Sequence, residues 1–137
     1  MRNIPGETIW IGHAGDLKNP QALYDLGIEA VVELADSETF ATLPRDLIRL
    51  RIPLSDGGDN PLWKLKLGAI TVAELIRSNI SVMLCCSAGM SRSVCIAAGS
   101  LSIVRKITLV EALKQVTSHG PADISPMLLE QLRQALT

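Results

Sequence analysis

Cys86 and Arg92 are separated by five residues, Ser87-Ala88-Gly89-Met90-Ser91, and Ser93 follows the arginine. An ionised thiol is a strong nucleophile, and a nearby arginine lowers its pKa from about 8.5 to values of roughly 3.5–7.5. A guanidinium is a planar fork that holds two oxygens of a phosphate or sulfate at once. The small side chains of Ser87, Ala88, Gly89 and Ser91 let the backbone between them curl closely round such an anion, and Gly89 is free to take a positive φ. Ser93 can donate a hydrogen bond to the sulfur as it leaves phosphorus. Taken alone, Cys86 would be an ordinary buried cysteine. Its conjunction with a small-residue loop, an arginine and a serine makes it a candidate nucleophile acting on a bound oxyanion.

The flanking elements must deliver this loop. Val82, Met83 and Leu84 form an apolar run expected to be a buried strand, while Val94, Ile96, Ala97, Ala98, Leu101, Ile103 and Val104 are apolar around most of a helical circumference. A loop between such a strand and helix has N–H groups without helical partners, next to the positive end of the helix dipole. That is an anion site.

With Ser93, the run from Cys86 to Arg92 resembles the Cys-x5-Arg-Ser/Thr signature of the cysteine-based protein tyrosine phosphatases, and its Ala-Gly-x-Ser-Arg-Ser wording is most similar to the dual-specificity branch. Thr8 to Leu34, containing Thr-Ile-Trp-Ile-Gly and Leu-Tyr-Asp-Leu-Gly-Ile-Glu-Ala-Val-Val-Glu-Leu, is similar to the opening strand, helix and strand of those domains. The likeness covers nearly the whole chain. It implies hydrolysis of phosphate monoesters through a phosphocysteine on Cys86. Arg92 and the loop Ser87, Ala88, Gly89, Met90 and Ser91 would hold the phosphoryl oxygens and Ser93 would assist the sulfur, with no metal or cofactor. One position departs from the pattern. The family usually has histidine before the nucleophile, and here Cys85 stands there, so Cys86 should titrate higher than is common for this architecture yet below an ordinary thiol.

Ile48 to Leu54 alternates Ile48, Leu50 and Ile52 against Arg49 and Arg51, the pattern of a half-buried strand whose arginines are solvated or screened by carboxylates. Ser55-Asp56-Gly57-Gly58-Asp59-Asn60-Pro61 follows, a loop of turn formers at a strand end, where α/β folds collect site residues. Displacing an alkoxide or phenoxide from phosphorus needs a proton donor, which a carboxylic acid on such a loop supplies. The resemblance assigns that role to the aspartate after the Ile-Pro-Leu strand, Asp56, with Asp59 as the alternate. Either carboxylate could instead cap a turn or the next helix.

The remaining segments read as scaffold. Thr8–Gly12 is a predicted strand with His13 as a candidate rim residue beyond it, and Asn19-Pro20 starts a helix that Gly27 ends. Ile28 to Leu34 is a strand, and a short helical turn is expected within residues 36–46. Pro61 to Arg77 is an amphipathic helix, with Trp63 lining the pocket or, as the simpler expectation, covering the core edge. Thr108 and Glu111 form a capping box for a helix through Thr117, and His119 is expected to serve as a cation near that helix end. Ser125-Pro126 starts a last helix whose apolar face is Met127, Leu128, Leu132, Ala135 and Leu136.

At 137 residues and 47% hydrophobic content, the chain is expected to be a single domain over residues 1–137. The fold class expected is α/β, a small, mostly parallel central sheet of about four strands with helices on both faces. A net charge of −1 provides no global field for nucleic acid or an anionic membrane. Three cysteines, two of them adjacent, together with an N-terminus lacking an apolar core, fit a reducing cytoplasm. The mostly apolar stretch Val94–Val104 is well short of the ~20 residues that span a bilayer. The partner expected is a phosphorylated protein or a small phosphate ester, and the oligomeric state is open. Two rival readings use the same residues: a phosphate-binding module without turnover, suggested by Cys85, and a sulfur-transfer enzyme, against which Ser93 and the Asp56 loop argue.

Overall fold

A computed structural model describes residues 1–37, 42–118 and 120–137. Five strands form one sheet in the order β1 (Arg2–Asn3), β2 (Ile9–His13), β5 (Val82–Cys86), β3 (Ala30–Ala35) and β4 (Ile48–Leu54). Only β1 runs antiparallel to its neighbour. It is the strand beyond the four expected, and its two polar residues carry no strand pattern of their own.

All five residues of β5 are buried, as a central parallel strand requires. Successive side chains point to opposite faces. Val82, Leu84 and Cys86 therefore enter the larger core, built with α2 (Leu62–Arg77), α3 (Arg92–Arg105), α4 (Leu109–Thr117) and α5 (Pro126–Ala135). Met83 and Cys85 enter a smaller core with Leu17 of a 3₁₀ turn (Ala14–Lys18), Leu23 of α1 (Pro20–Asp25), Ile28, Val31 and Leu47. Helices thus cover both faces. Residues Arg92 to Leu101 of α3 are buried without a break, which the all-round apolar pattern of that helix anticipates.

Several local expectations hold. Gly27 ends α1 with φ +74°, and Thr108 and Glu111 close the capping box of α4. Ser125 caps α5 ahead of Pro126. Others need correction. Asn19 makes no side-chain cap bond. Ile48 is 43% exposed because β4 is an edge strand. Trp63 is 65% exposed and meets the Lys64 ammonium at 5.9 Å instead of covering the core edge. Met127 is 64% exposed, lying over Gly58 in the loop after β4 rather than in the core. The expected turn within residues 36–46 falls partly, and His119 wholly, outside the described residues. Among the described residues no helix is long and apolar enough to cross a membrane.

Candidate active site

Cys86 is the last residue of β5 and Arg92 the first of α3, so the intervening loop occupies the C-terminal edge of the sheet, where α/β folds place their sites. Gly89 makes the curl with φ +70°, and a Cβ there would lie 2.7 Å from the Gly12 carbonyl oxygen of the adjacent strand. Ser91 precedes α3, but its hydroxyl does not cap the helix. It donates instead to Asp56 Oδ1 at 2.6 Å and accepts the Ser125 N–H at 3.1 Å.

Arg92 is buried, and its guanidinium is held from one side. Nη1 donates to Asp36 Oδ1 at 3.1 Å and to the Leu54 carbonyl at 2.9 Å, while Nη2 donates to Ser87 Oγ at 2.9 Å. Nε is buried without a partner. A buried donor left unpaired costs about 1–3 kcal/mol. Sequence reasoning missed Asp36; its place just past the C-terminus of β3 was the available signal.

Burial pushes the Cys86 thiol up, but the Ser93 hydroxyl, the N–H groups of Ser93 and Gly89 and the charge of Arg92 outweigh it. The net result lies below the ordinary thiol value. Ser93 Oγ sits close enough to act on the sulfur yet lacks full hydrogen-bond geometry to any atom, so the hydroxyl is unsatisfied in the resting site. Cys85 and Cys95 behave oppositely. Burial, aided at Cys85 by Glu33 and at Cys95 by Asp56, pushes each up to about 12.

The loop after β4 is organised by Asn60, a residue to which the sequence analysis gave no role. Its Oδ1 accepts the Ser55 N–H at 2.8 Å, and its Nδ2 donates to the carbonyls of Ser55 at 2.8 Å and Gly57 at 3.3 Å. From α5, Gln131 Nε2 donates to the Gly58 carbonyl at 2.6 Å. Asp59 accepts from Ser55 Oγ at 2.7 Å, a bond that holds its carboxyl below the usual carboxylate range. Asp56 thus faces the anion loop, while Asp59 serves its own turn.

A cleft of about 130 Å³ is lined by Asp56, Cys86, Ser87, Ala88, Met90, Ser91, Arg92 and Asp123. Of the residues expected around an anion, Gly89 turns toward a neighbouring cavity with His13, and Ser93 lies beneath the cleft, fully buried. His13 accepts the Gly15 N–H at 3.1 Å, so it caps the 3₁₀ turn as well as standing at that rim. Arg49 pairs with Glu33 at 2.8 Å, the screening by a carboxylate that was expected. Asp123 comes from a stretch read as scaffold. No cluster of three or more His, Cys, Asp or Glu able to hold a metal ion occurs among the described residues.

No protein-family model matches the chain. It is 31% identical over 135 residues to human dual specificity protein phosphatase 13B, covering 92% of this chain and 68% of that protein. The mouse protein of the same name is 30% identical over 128 residues, covering 87% and 63%. The chain therefore spans about two thirds of these relatives. Among solved structures, human DUSP28 superposes with a TM-score of 0.84 at 20% identity, over 96% of this chain and 92% of that one. A mouse putative dual specificity phosphatase complexed with zinc tungstate gives 0.82 at 23% identity, over 93% and 81%. These structural likenesses are of fold.

Proposed function

This chain belongs to the dual-specificity phosphatases of the cysteine-based protein tyrosine phosphatase superfamily, and from that membership we propose that it hydrolyses phosphate monoesters through a phosphocysteine on Cys86. The substrate proposed is a phosphoprotein bearing phosphotyrosine, phosphoserine or phosphothreonine. The thiolate of Cys86 attacks phosphorus, the bond to the ester oxygen breaks, and Asp56 gives its proton to that leaving oxygen. Asp56 then takes a proton from water as the water attacks the phosphocysteine. Inorganic phosphate and free Cys86 thiolate result. Arg92 and the amides of Ser87 to Ser91 hold the equatorial oxygens, and Ser93 donates to the sulfur as it departs. The scheme uses no metal or cofactor, and it needs Cys86 reduced, so a reducing cytoplasm is the proposed setting.

The observation that carries this reading is the sulfur of Cys86, held below its ordinary pKa in a cleft where Arg92 Nε is buried and unpaired. The test is hydrolysis of p-nitrophenyl phosphate by the wild type and by Cys86→Ser. The variant should lose turnover and keep vanadate binding, because Arg92 and the loop amides remain. Turnover retained in Cys86→Ser would exclude covalent catalysis by this residue. Binding without turnover, the reading that Cys85 favours, would show as vanadate affinity in a wild type that hydrolyses nothing.

A further inference from the structure

The phosphate cleft has an acidic mouth. Asp56 and Asp123 both line it and both are exposed, whereas Arg92 is the single cation among its lining residues. That arginine lies at the bottom, its side chain 8% exposed, with one nitrogen spent on Asp36 and Nε unpaired. A phosphoryl group entering the cleft therefore meets a buried arginine below and the exposed Asp123 at the rim.

Asp123 is placed there by the anion loop itself. Its N–H donates to the Met90 carbonyl at 2.9 Å, and two residues on the Ser125 N–H donates to Ser91 Oγ at 3.1 Å. The segment is stitched to two consecutive residues of the loop. No cation among the described residues pairs with the Asp123 carboxylate. Arg2, on the neighbouring strand, reaches this segment but donates to the Pro121 carbonyl at 2.9 Å.

We propose that Asp123 is a specificity-determining residue, selecting phosphopeptides that carry lysine or arginine beside the phosphorylated residue. The inference rests on the phosphatase reading and supplies what that reading leaves open, the charge of the substrate around its phosphate. A phosphate dianion beside the Asp123 carboxylate is electrostatically disfavoured, whereas Asp56 enters the proposed reaction as the protonated acid. A flanking cation that pairs with Asp123 offsets that cost, and a flanking carboxylate adds to it. The effect is short-ranged, since charges beyond about 8–10 Å are screened at ordinary salt.

The experiment uses two phosphopeptides that differ only in lysine or glutamate next to the phosphoresidue. It measures kcat/KM with the wild type and affinity by fluorescence anisotropy with Cys86→Ser. The wild type should favour the lysine peptide by about two- to fivefold, the range of an exposed ion pair. Asp123→Asn should shrink the ratio and Asp123→Lys should invert it, while the remote Glu74→Gln, which changes net charge as much as Asp123→Asn does, should leave it alone. Asp123 is exposed, so these substitutions keep the fold. A ratio unchanged by Asp123→Lys overturns the proposal, as does a preference for the glutamate peptide in the wild type. If no ester is hydrolysed, the phosphatase reading fails, and the peptide affinities of Cys86→Ser still decide the role of Asp123. Binding of neither peptide overturns both.

Discussion

Ser91 donates its hydroxyl hydrogen to Asp56 at 2.6 Å, joining the last residue of the anion loop to the carboxyl proposed as general acid. The same oxygen accepts the Ser125 N–H at 3.1 Å, so one side chain links the anion loop, the loop after β4 and the start of α5. Ser91→Ala should lower kcat/KM for an alkyl phosphate by roughly tenfold, part of the 10²–10⁴ that acid catalysis contributes, and lower it far less for p-nitrophenyl phosphate. The Ser125 N–H loses its partner in this variant, so thermal unfolding should report a loss of about 1–3 kcal/mol. Equal losses on both esters would mean that the anion loop, not the acid, had been disturbed.

Asp56→Asn and Asp59→Asn should separate by the same criterion. The first removes the proton for the leaving oxygen and should slow alkyl esters by about 10²-fold or more while sparing esters of acidic phenols. The second removes a turn bond to Ser55 and should leave that leaving-group dependence in place. If the two variants exchange behaviours, Asp59 is the acid and the reaction class stands.

How much of this was legible in the chain follows from what each residue signals. The strand, loop and buried helix around Cys86 declare themselves through period and spacing, because the central parallel strand is apolar throughout and the helix is apolar around most of its circumference. The position of Asp56 beside the anion loop was anticipated by its place after β4 and by the family resemblance. Asn60 and Asp123 were not, and Asp36 offered only its place just past β3. Each owes its role to a contact across 33 residues or more, or to a loop carbonyl that only the folded backbone presents: Asp36 to Arg92, Asn60 to its own loop, Asp123 to Met90. Met127 misled for the opposite reason. It has the right helical phase for the core, yet α5 enters beside the loop after β4, and the side chain settles over Gly58.

Gly89→Ala tests the curl. A Cβ at φ +70° is strained, and this one would sit 2.7 Å from a backbone oxygen of β2, which cannot yield as a side chain can. The cost should be roughly 1–3 kcal/mol in thermal unfolding, with vanadate affinity reduced at least tenfold because the Gly89 N–H no longer faces the sulfur. Wild-type stability together with wild-type affinity would show that the loop tolerates the methyl group and that the glycine is not what shapes it.

The last prediction concerns which thiol ionises. Burial raises Cys86, while Ser93, the Gly89 N–H and Arg92 lower it further than burial raises it. The thiolate is the reacting form, so kcat/KM should climb with pH through a midpoint below the ordinary thiol value of ~8.5. Cys85 is pushed up to about 12 by burial and then by Glu33, and Cys95 to about 12 by burial and then by Asp56, so both remain protonated at neutral pH. Iodoacetamide at pH 7 should therefore alkylate Cys86 alone of the three, read by peptide mass. Cys85 and Cys86 face opposite cores, so a substitution at 85 reaches the sulfur through the strand and loop, not by direct contact. Cys85→His would bring an imidazole to the Glu33 side of the sheet, where it can take a proton and favour the thiolate one residue on. The rising limb should then move to lower pH, and Cys85→Ala should not move it that way. A limb that stays put in Cys85→His would mean that Ser93, Gly89 and Arg92 already supply all the support the thiolate receives, and that cysteine at 85 costs the site nothing.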